Sequence, residues 1–382
     1  MDDVALRALV PRVLSVLVGR GADFATAEDA VQEALIRALG AWGDELPGDP
    51  KAWLITVAWR AFLDMTRSDV ARRDREFRFD TEPPADAIPS ADDTLRLYFL
   101  CAHPDLTSSS AVALTLRAVG GLTTRQIAQA YLVPEPTMAQ RISRAKRVVG
   151  QAGVDRPGDV RTVMRVLYLV FNEGYSGDVD LAAEAIRLTR QLAALVDDAE
   201  VHGLLALMLL HHARRRSRTR LDGSIVPLAE QDRSQWDAAL IAEGVEITHA
   251  ALARDQLGEY QAQAAIAALH ADAPRVEETD WVQIVEWYDE LLRLADTPIV
   301  RLNRAVAVGE ADGAPAGLAA LAKVDEHVPR RDAVAAYLHE KNGDLELAAR
   351  LYADAARSAP NLAERDHQTL QAARLNQYLR TR

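Results

Sequence analysis

Residues 122–149 read LTTRQIAQAYLVPEPTMAQRISRAKRVV, and this stretch decides the fold of the part of the chain around it. Thr123 or Thr124 can cap a short helix whose Ile127, Ala128 and Tyr131 face inward, and Val133 and Pro134 end it in a tight turn. Pro136 then falls in the first turn of the next helix, where its missing N–H costs no useful hydrogen bond. In that second helix Met138, Ile142, Ala145 and Val149 recur at helical spacing and form a buried stripe. The remaining surface holds Thr137, Gln140, Arg141, Arg144 and Lys146, which combine cations for phosphate with side chains able to read base edges in a major groove. The pattern is a helix-turn-helix. An ordinary helical hairpin with a solvated basic face is the other reading of the same residues.

Upstream, residues 27–39 read AEDAVQEALIRAL. Ala30, Val31, Ala34, Leu35, Ala38 and Leu39 form a core stripe and leave Glu28, Asp29, Gln32 and Glu33 facing outward. Such an acidic, amide-bearing face suits a basic protein partner, and a merely solvated face is the alternative. A loop with Trp42, Gly43, Asp44, Pro47, Gly48, Asp49 and Pro50 follows, and then KAWLITVAWRAFLDMTRSDVARRD at 51–74. Here Leu54, Ala58, Phe62 and Met65 share one face, while Arg60, Arg67, Arg72 and Arg73 bring charge near Trp53 and Trp59. Aromatic rings stack on unpaired bases and cations hold phosphates, so this helix can grip separated strands; both tryptophans as core residues is the competing reading.

A chain of 382 residues exceeds what one core usually supports. Hydrophobic residues make up 49% and aromatic residues only 5%, which favours packed helices over sheets. The net charge of -12 argues against uniform affinity for nucleic acid. The cations are nevertheless clustered: Arg60, Arg67, Arg72, Arg73, Arg75 and Arg78 form one stretch, and Arg141, Arg144, Lys146 and Arg147 a second. The single cysteine, Cys101, excludes internal disulfides and fits a reducing compartment. No signal peptide and no run of ~18 apolar residues is apparent, so a cytoplasmic chain without membrane partners is expected.

The first helical block ends near Asp74, and EFRFDTEPPADAIPSADDT reads as a linker. Helical periodicity resumes near Leu95, and QAGVDRPGD marks a second break before VMRVLYLVF. The expected units are 1–76, a linker over 77–94, 95–151, and 158–382. The last looks like stacked helix pairs. Its clearest pair is DAVAAYLHEK, a turn at Asn342, Gly343 and Asp344, then LELAARLYADAARSAP, with Leu345, Ala348, Leu351, Tyr352 and Ala355 as an apolar stripe and Pro360 as a stop. Segments 300–324 and 260–294 echo it at offsets of roughly ~34 residues, resembling a tetratricopeptide repeat.

Taken in order, these pieces resemble extracytoplasmic-function (ECF) RNA polymerase sigma factors. AEDAVQEALIRAL is similar to region 2.2, AWLITVAWRAFLDMTRSDVARR to regions 2.3 and 2.4, and the helix-turn-helix to region 4.2. Residues 92–141, with LYLVFNEGYSG and EQDRSQWDAALIAEG, resemble a subgroup carrying a long tetratricopeptide-like C-terminal extension. The resemblance implies an all-α protein: a region 2 bundle, a region 4 helix-turn-helix and a helical repeat domain. It implies that Asp29, Gln32 and Glu33 contact core RNA polymerase. Trp42, Trp53, Arg60, Arg67, Arg72 and Arg73 would then serve the -10 element of promoter DNA, and Thr137, Gln140, Arg141, Arg144 and Lys146 the -35 element. Many relatives have Ala-Arg-Asn where this chain reads Ala58, Trp59 and Arg60, and Pro136 stands where a non-proline is common.

The extension is then expected to regulate, through intramolecular contact with regions 2 and 4 or with polymerase. FNEGY, Phe171 to Tyr175, and EQDRSQW, Glu230 to Trp236, are candidates for a groove or an interdomain contact, with capping and loop packing as the alternative. Cofactors, metals and catalysis are not expected. Cys101 and His103 flank an apolar helix, adjacent His211 and His212 point to different helix faces, and no phosphate loop or dinucleotide fingerprint appears. A tetratricopeptide scaffold would explain only the C-terminal pairs. An operator-binding regulator would explain only the helix-turn-helix.

Overall fold

The computed structural model describes residues 3–42, 47–73, 94–131, 133–152, 158–173, 180–220 and 224–381. Among these the fold is all-helical, with no strand. Nearly all of the expected linker 77–94, Arg75, Arg78, and Gly174 and Tyr175 lie outside the described residues. The chain forms two compact units, Met1–Leu195 and Val196–Arg382.

The first unit opens with α1 (Asp3–Gly19), α2 (Phe24–Ala41) and α3 (Pro50–Arg73), which pack on one another. Asp23 caps α2 by accepting from Thr26 N at 2.9 Å, and Asp49 accepts from Ala52 N at 3.0 Å in the first turn of α3. Val10, Leu14 and Leu17 of α1 meet Ala30, Val31, Ala34 and Ala38 of α2 and Leu54, Ala58 and Phe62 of α3 as the buried layer. Two expectations for α2 fail. Leu39 is 73% exposed, because it lies at the edge of the apolar arc, and Glu28 is completely buried.

Next come α4 (Thr94–Cys101), α5 (Ser108–Ala118), α6 (Thr124–Ala130) and α7 (Glu135–Ala152). A capping box between Thr123 and Gln126 starts α6, and Ile127 and Ala128 are buried beneath α7. The stripe of Met138, Ile142, Ala145 and Val149 is buried as its periodicity requires. Two further helices, α8 (Val160–Asn172) and α9 (Leu181–Leu195), complete this core. α8 packs on α4 and α5, and α4 is tied to α9 where Tyr98 Oη donates to the Leu188 carbonyl. The compact unit therefore closes after Leu195, whereas the sequence break near 158 suggested an earlier end. That break is a site of close packing: a Cβ at Gly158 would come within 2.4 Å of the Ala102 carbonyl oxygen.

The second unit comprises α10 (Ala199–Ala213), α11 (Ala238–Leu252), α12 (Glu259–Asp272), α13 (Trp281–Leu294), α14 (Pro298–Ala311), α15 (Ala314–Leu321), α16 (Arg331–Asn342), α17 (Leu345–Ser358) and α18 (Leu362–Thr381). Successive helices pack on their neighbours. α10 is apolar all round, and Leu204 to Leu210 are buried between α11 and α12. The expected turn at Asn342 to Asp344 is present: Gly343 takes φ +88°, Gly343 N donates to Glu340 O, and Asp344 N to His339 O. α14 and α15 approach closely at Gly309 and Gly317, where a Cβ on Gly317 would sit 2.7 Å from the Gly309 Cα.

EQDRSQW is part of the packing of this unit. Trp236 is 7% exposed, lies against the guanidiniums of Arg214 and Arg233, and donates from Nε1 to Ser217 Oγ at 2.8 Å. Arg233 donates to the His270 and Ala273 carbonyls at 2.6 and 2.5 Å, while Asp237 caps α11 through Ala239 N and Leu240 N. The loop is thus braced by its polar side chains.

Candidate polymerase and nucleic-acid surfaces

A groove of about 450 Å³ runs between α2 and α3, lined by Thr26, Asp29, Glu33, Arg37, Ala61, Asp64 and Met65. Two of the three expected polymerase-contact residues, Asp29 and Glu33, meet there with Asp64, which the sequence reading missed. Glu33 accepts from Arg37 at 3.0 Å within α2, and the Asp29 side chain is 60% exposed. Gln32 lies one residue from Glu33 with its amide nitrogen buried and without a hydrogen-bond partner. Ile36 and Leu39 are exposed farther along α2 and add apolar surface to a charged one. An open face of this composition suits a partner offering cations and apolar side chains.

The tryptophans are less open. Trp42, the C-cap of α2, is 9% exposed and meets Trp53 edge to face, with ring centroids 5.1 Å apart. Trp59 packs beside Phe62, and the Arg20 guanidinium lies 5.4 Å from its ring. Trp42 therefore supports the α2–α3 corner in this structure. Trp53, Arg60 and Arg67 recur every seven residues and share a face of α3, on which both arginines are exposed. Arg72 and Arg73 are the last two residues of the same helix.

On α7, Thr137, Gln140 and Arg144 are exposed and Arg141 is half-buried. Thr137, Arg141 and Arg144 follow the i, i+4, i+7 spacing of a single face. Lys146 lies nine residues beyond Thr137, about two and a half turns, and so projects from the opposite side. There its ammonium meets Asp29 Oδ1 at 2.6 Å and Glu28 Oε2, and Arg117 Nε of α5 meets Glu28 Oε1 at 2.8 Å. The sequence grouped Lys146 with the DNA-facing set by residue type alone; the fold turns it toward α2.

Cys101 is fully buried, and burial pushes its thiol pKa up, away from the thiolate a nucleophile requires. His103 is also buried and accepts from Asp105 N at 3.1 Å. His211 contacts Arg214 and His212 contacts Arg215, so the adjacent histidines diverge. No helix among the described residues is long and apolar enough to cross a membrane.

Residues 5–72 match the family Sigma-70 region 2, and residues 96–148 match Sigma-70, region 4. Residues 159–252 match a family of unknown function, DUF6596, running from the α8 cap to the end of α11. These matches define a chain of the sigma-factor class. With the relatives that follow, they support an ECF-like sigma factor. Among its relatives, "Uncharacterized protein R00370" of Rhizobium meliloti (strain 1021) is 42% identical over 360 residues, covering 85% of this chain and 84% of that one. "Probable ECF RNA polymerase sigma factor SigI" of Mycobacterium tuberculosis (strains CDC 1551 / Oshkosh and ATCC 25618 / H37Rv) is 31% identical over 178 residues. That similarity covers 43% of this chain and 59% of SigI. No solved structure matches the chain.

Proposed function

We propose that the chain binds core RNA polymerase through the α2–α3 groove and directs it to specific promoters in the cytoplasm. The observation carrying this reading is that Asp29 and Glu33 line an open acidic groove in the same unit as a capped helix-turn-helix with Thr137, Gln140 and Arg144 exposed. Asp29, Gln32 and Glu33, with Asp64, take the polymerase. Trp53, Arg60, Arg67, Arg72 and Arg73 serve the -10 element, with Trp42 holding the corner from which α3 starts. Thr137, Gln140, Arg141 and Arg144 serve the -35 element. The chain's contribution is positioning: it presents two DNA elements to the polymerase and stabilises unpaired bases, with no covalent step of its own.

The second unit, 196–382, is a tetratricopeptide-like regulatory domain in this reading, a role its stacked helix pairs suit. The test is run-off transcription with purified core polymerase on DNA upstream of the gene, comparing the full chain, residues 1–195 and the double variant Asp29→Arg/Glu33→Arg. A specific transcript that requires the chain and disappears with the double variant supports the reading. The 1–195 fragment reports whether the second unit restrains or promotes initiation. No transcript and no co-migration with core polymerase would overturn it.

A further inference from the structure

The end of α10 runs into a stretch of one charge. From Val201 to Arg220 the sequence holds no acidic residue, and Arg214, Arg215, Arg216, Arg218 and Arg220 fall within seven positions of a protein whose net charge is -12. All but Arg214 are exposed. Arg215–Ser217 is a 3-10 turn, and beyond it Thr219 and Ile225 form an isolated antiparallel bridge, with Arg220 N donating to Ser224 O and Val226 N to Arg218 O, each at 2.9 Å. Alternate residues of such a ribbon share a face, so Arg218 and Arg220 stand side by side, about 6.5–7 Å apart along the chain. The base of the ribbon is fixed: Ser217 is buried, accepts from Trp236 Nε1 at 2.8 Å and donates to the Arg214 carbonyl at 3.0 Å. None of these contacts uses the guanidiniums of Arg216 and Arg218, and among the described residues no carboxylate lies in ion-pair range of either. Arg220 pairs with Glu230 at 3.3 Å, both side chains being about half exposed, and Asp232 is engaged by Ser234 and Gln235. The positive field reaches inward as well: after burial, Arg214 and Arg218 are the main influences that hold the His211 pKa down.

We propose that this turn and ribbon bind the phosphate backbone of duplex DNA, without regard to base sequence, as a surface separate from the -10 and -35 surfaces of the first unit. Guanidiniums on a rigid base suit phosphates, each of which they can meet through two hydrogen bonds. A protein partner calls for apolar anchors at the centre of its contact. Among the described residues from 211 to 236, no large hydrophobic side chain is exposed. Single-stranded nucleic acid is gripped by aromatic stacking, and Trp236, the one tryptophan, tyrosine or phenylalanine of that stretch, is buried. Exposed cations with neither kind of anchor are the electrostatic footprint of a duplex backbone. The second unit thereby gains a hold on DNA that does not depend on the polymerase.

The test uses the full chain, without polymerase, and a duplex of about 30 base pairs of arbitrary sequence at low salt. Phenylglyoxal modifies accessible arginines, and peptide mass spectrometry reads which ones. Saturating duplex is expected to protect Arg216 and Arg218 severalfold. Fluorescence anisotropy across a salt series is expected to give Arg216→Gln/Arg218→Gln a slope of log affinity against log salt smaller by about 1.8, which is ~0.9 for each of two lost phosphate contacts. Its melting temperature should match the wild type, because both side chains are exposed. Protection of Arg141 and Arg144 with Arg216 and Arg218 modified as in the free chain overturns the proposal and leaves the helix-turn-helix as the DNA surface. An unchanged slope in the folded variant overturns it too, as does failure of the full chain to bind the duplex at low salt. A poly-glutamate peptide that protects Arg216 and Arg218 where the duplex does not would overturn it in favour of an acidic protein partner. The wild-type protection pattern decides the matter even if the double variant fails to fold.

Discussion

The phenol of Tyr98 donates to the backbone carbonyl of Leu188 across 2.9 Å, joining α4 to α9 inside the core of the first unit. The contact makes the helices after the break at Gly158 part of the fold of region 4. Val163, Val166, Leu167 and Val170 of α8 and Leu181, Leu188 and Leu192 of α9 are buried in this unit. Each such side chain contributes roughly 1.5–3 kcal/mol by leaving water. A chain cut at residue 151 therefore loses several times that amount, comparable with the roughly 5–15 kcal/mol that stabilises a whole domain. The 1–195 fragment is expected to be soluble and to melt cooperatively, and the 1–151 fragment to aggregate or melt broadly. Side-by-side thermal melts decide the point, and equal melting temperatures would refute it.

Removing only the Tyr98 hydroxyl is a milder perturbation. Tyr98→Phe keeps the ring and leaves the Leu188 carbonyl without its donor, at an expected cost of about 1–2 kcal/mol. Urea denaturation of the 1–195 fragment should show a lower midpoint with an unchanged slope. An unchanged midpoint would mean that Tyr98 acts through its ring alone.

Buried and exposed residues of α7 separate folding from recognition. Met138 is fully buried, so Met138→Ala is expected to cost about 2–5 kcal/mol and to reduce promoter binding only through loss of fold. Arg144 is exposed, and Arg144→Ala should leave the melting temperature within about a degree while weakening holoenzyme binding to the -35 duplex. Melting curves and footprinting on the same preparations test both. A large stability loss in Arg144→Ala would contradict its placement.

What the sequence revealed follows from how local each feature is. Met138, Ile142, Ala145 and Val149 are legible because one helix's periodicity sets their burial. Gly343 is legible because a left-handed turn between two apolar stripes needs little else. Glu28 was placed outward because its burial depends on Arg117 and Lys146, whose positions tertiary packing alone determines. The orientation of Lys146 could have been found by counting helical angles from Thr137. The sequence break before Gly158 does not interrupt the core, because α8 packs back on α4 and α5, and no local signal marks the difference. EQDRSQW looked too polar for simple core, and its polar groups are spent on caps, carbonyls and the Trp236 indole.

The second unit should lose stability in mild acid, through two histidines. Burial, with the charges of Arg214 and Arg218, holds His211 down at about 3, and burial with Arg214 and Arg233 holds His270 at about 4. Each is neutral in the folded chain well below the ordinary value near ~6.5, whereas the unfolded chain takes up a proton there. Unfolding therefore binds protons between that value and the folded ones. Stability is fully present above about pH 6.5 and falls as pH drops toward 4 and then 3, by at most about 1.4 kcal/mol per pH unit per histidine. Hydrogen exchange of α10 amides, Leu204 to Leu210, reports opening of this unit in the full chain. Their protection should decline from pH 6.5 to 5 after correction for intrinsic exchange rates. The double variant His211→Gln/His270→Gln should flatten that decline. Protection that stays constant over this interval in the wild type would show that neither histidine is held neutral by the fold.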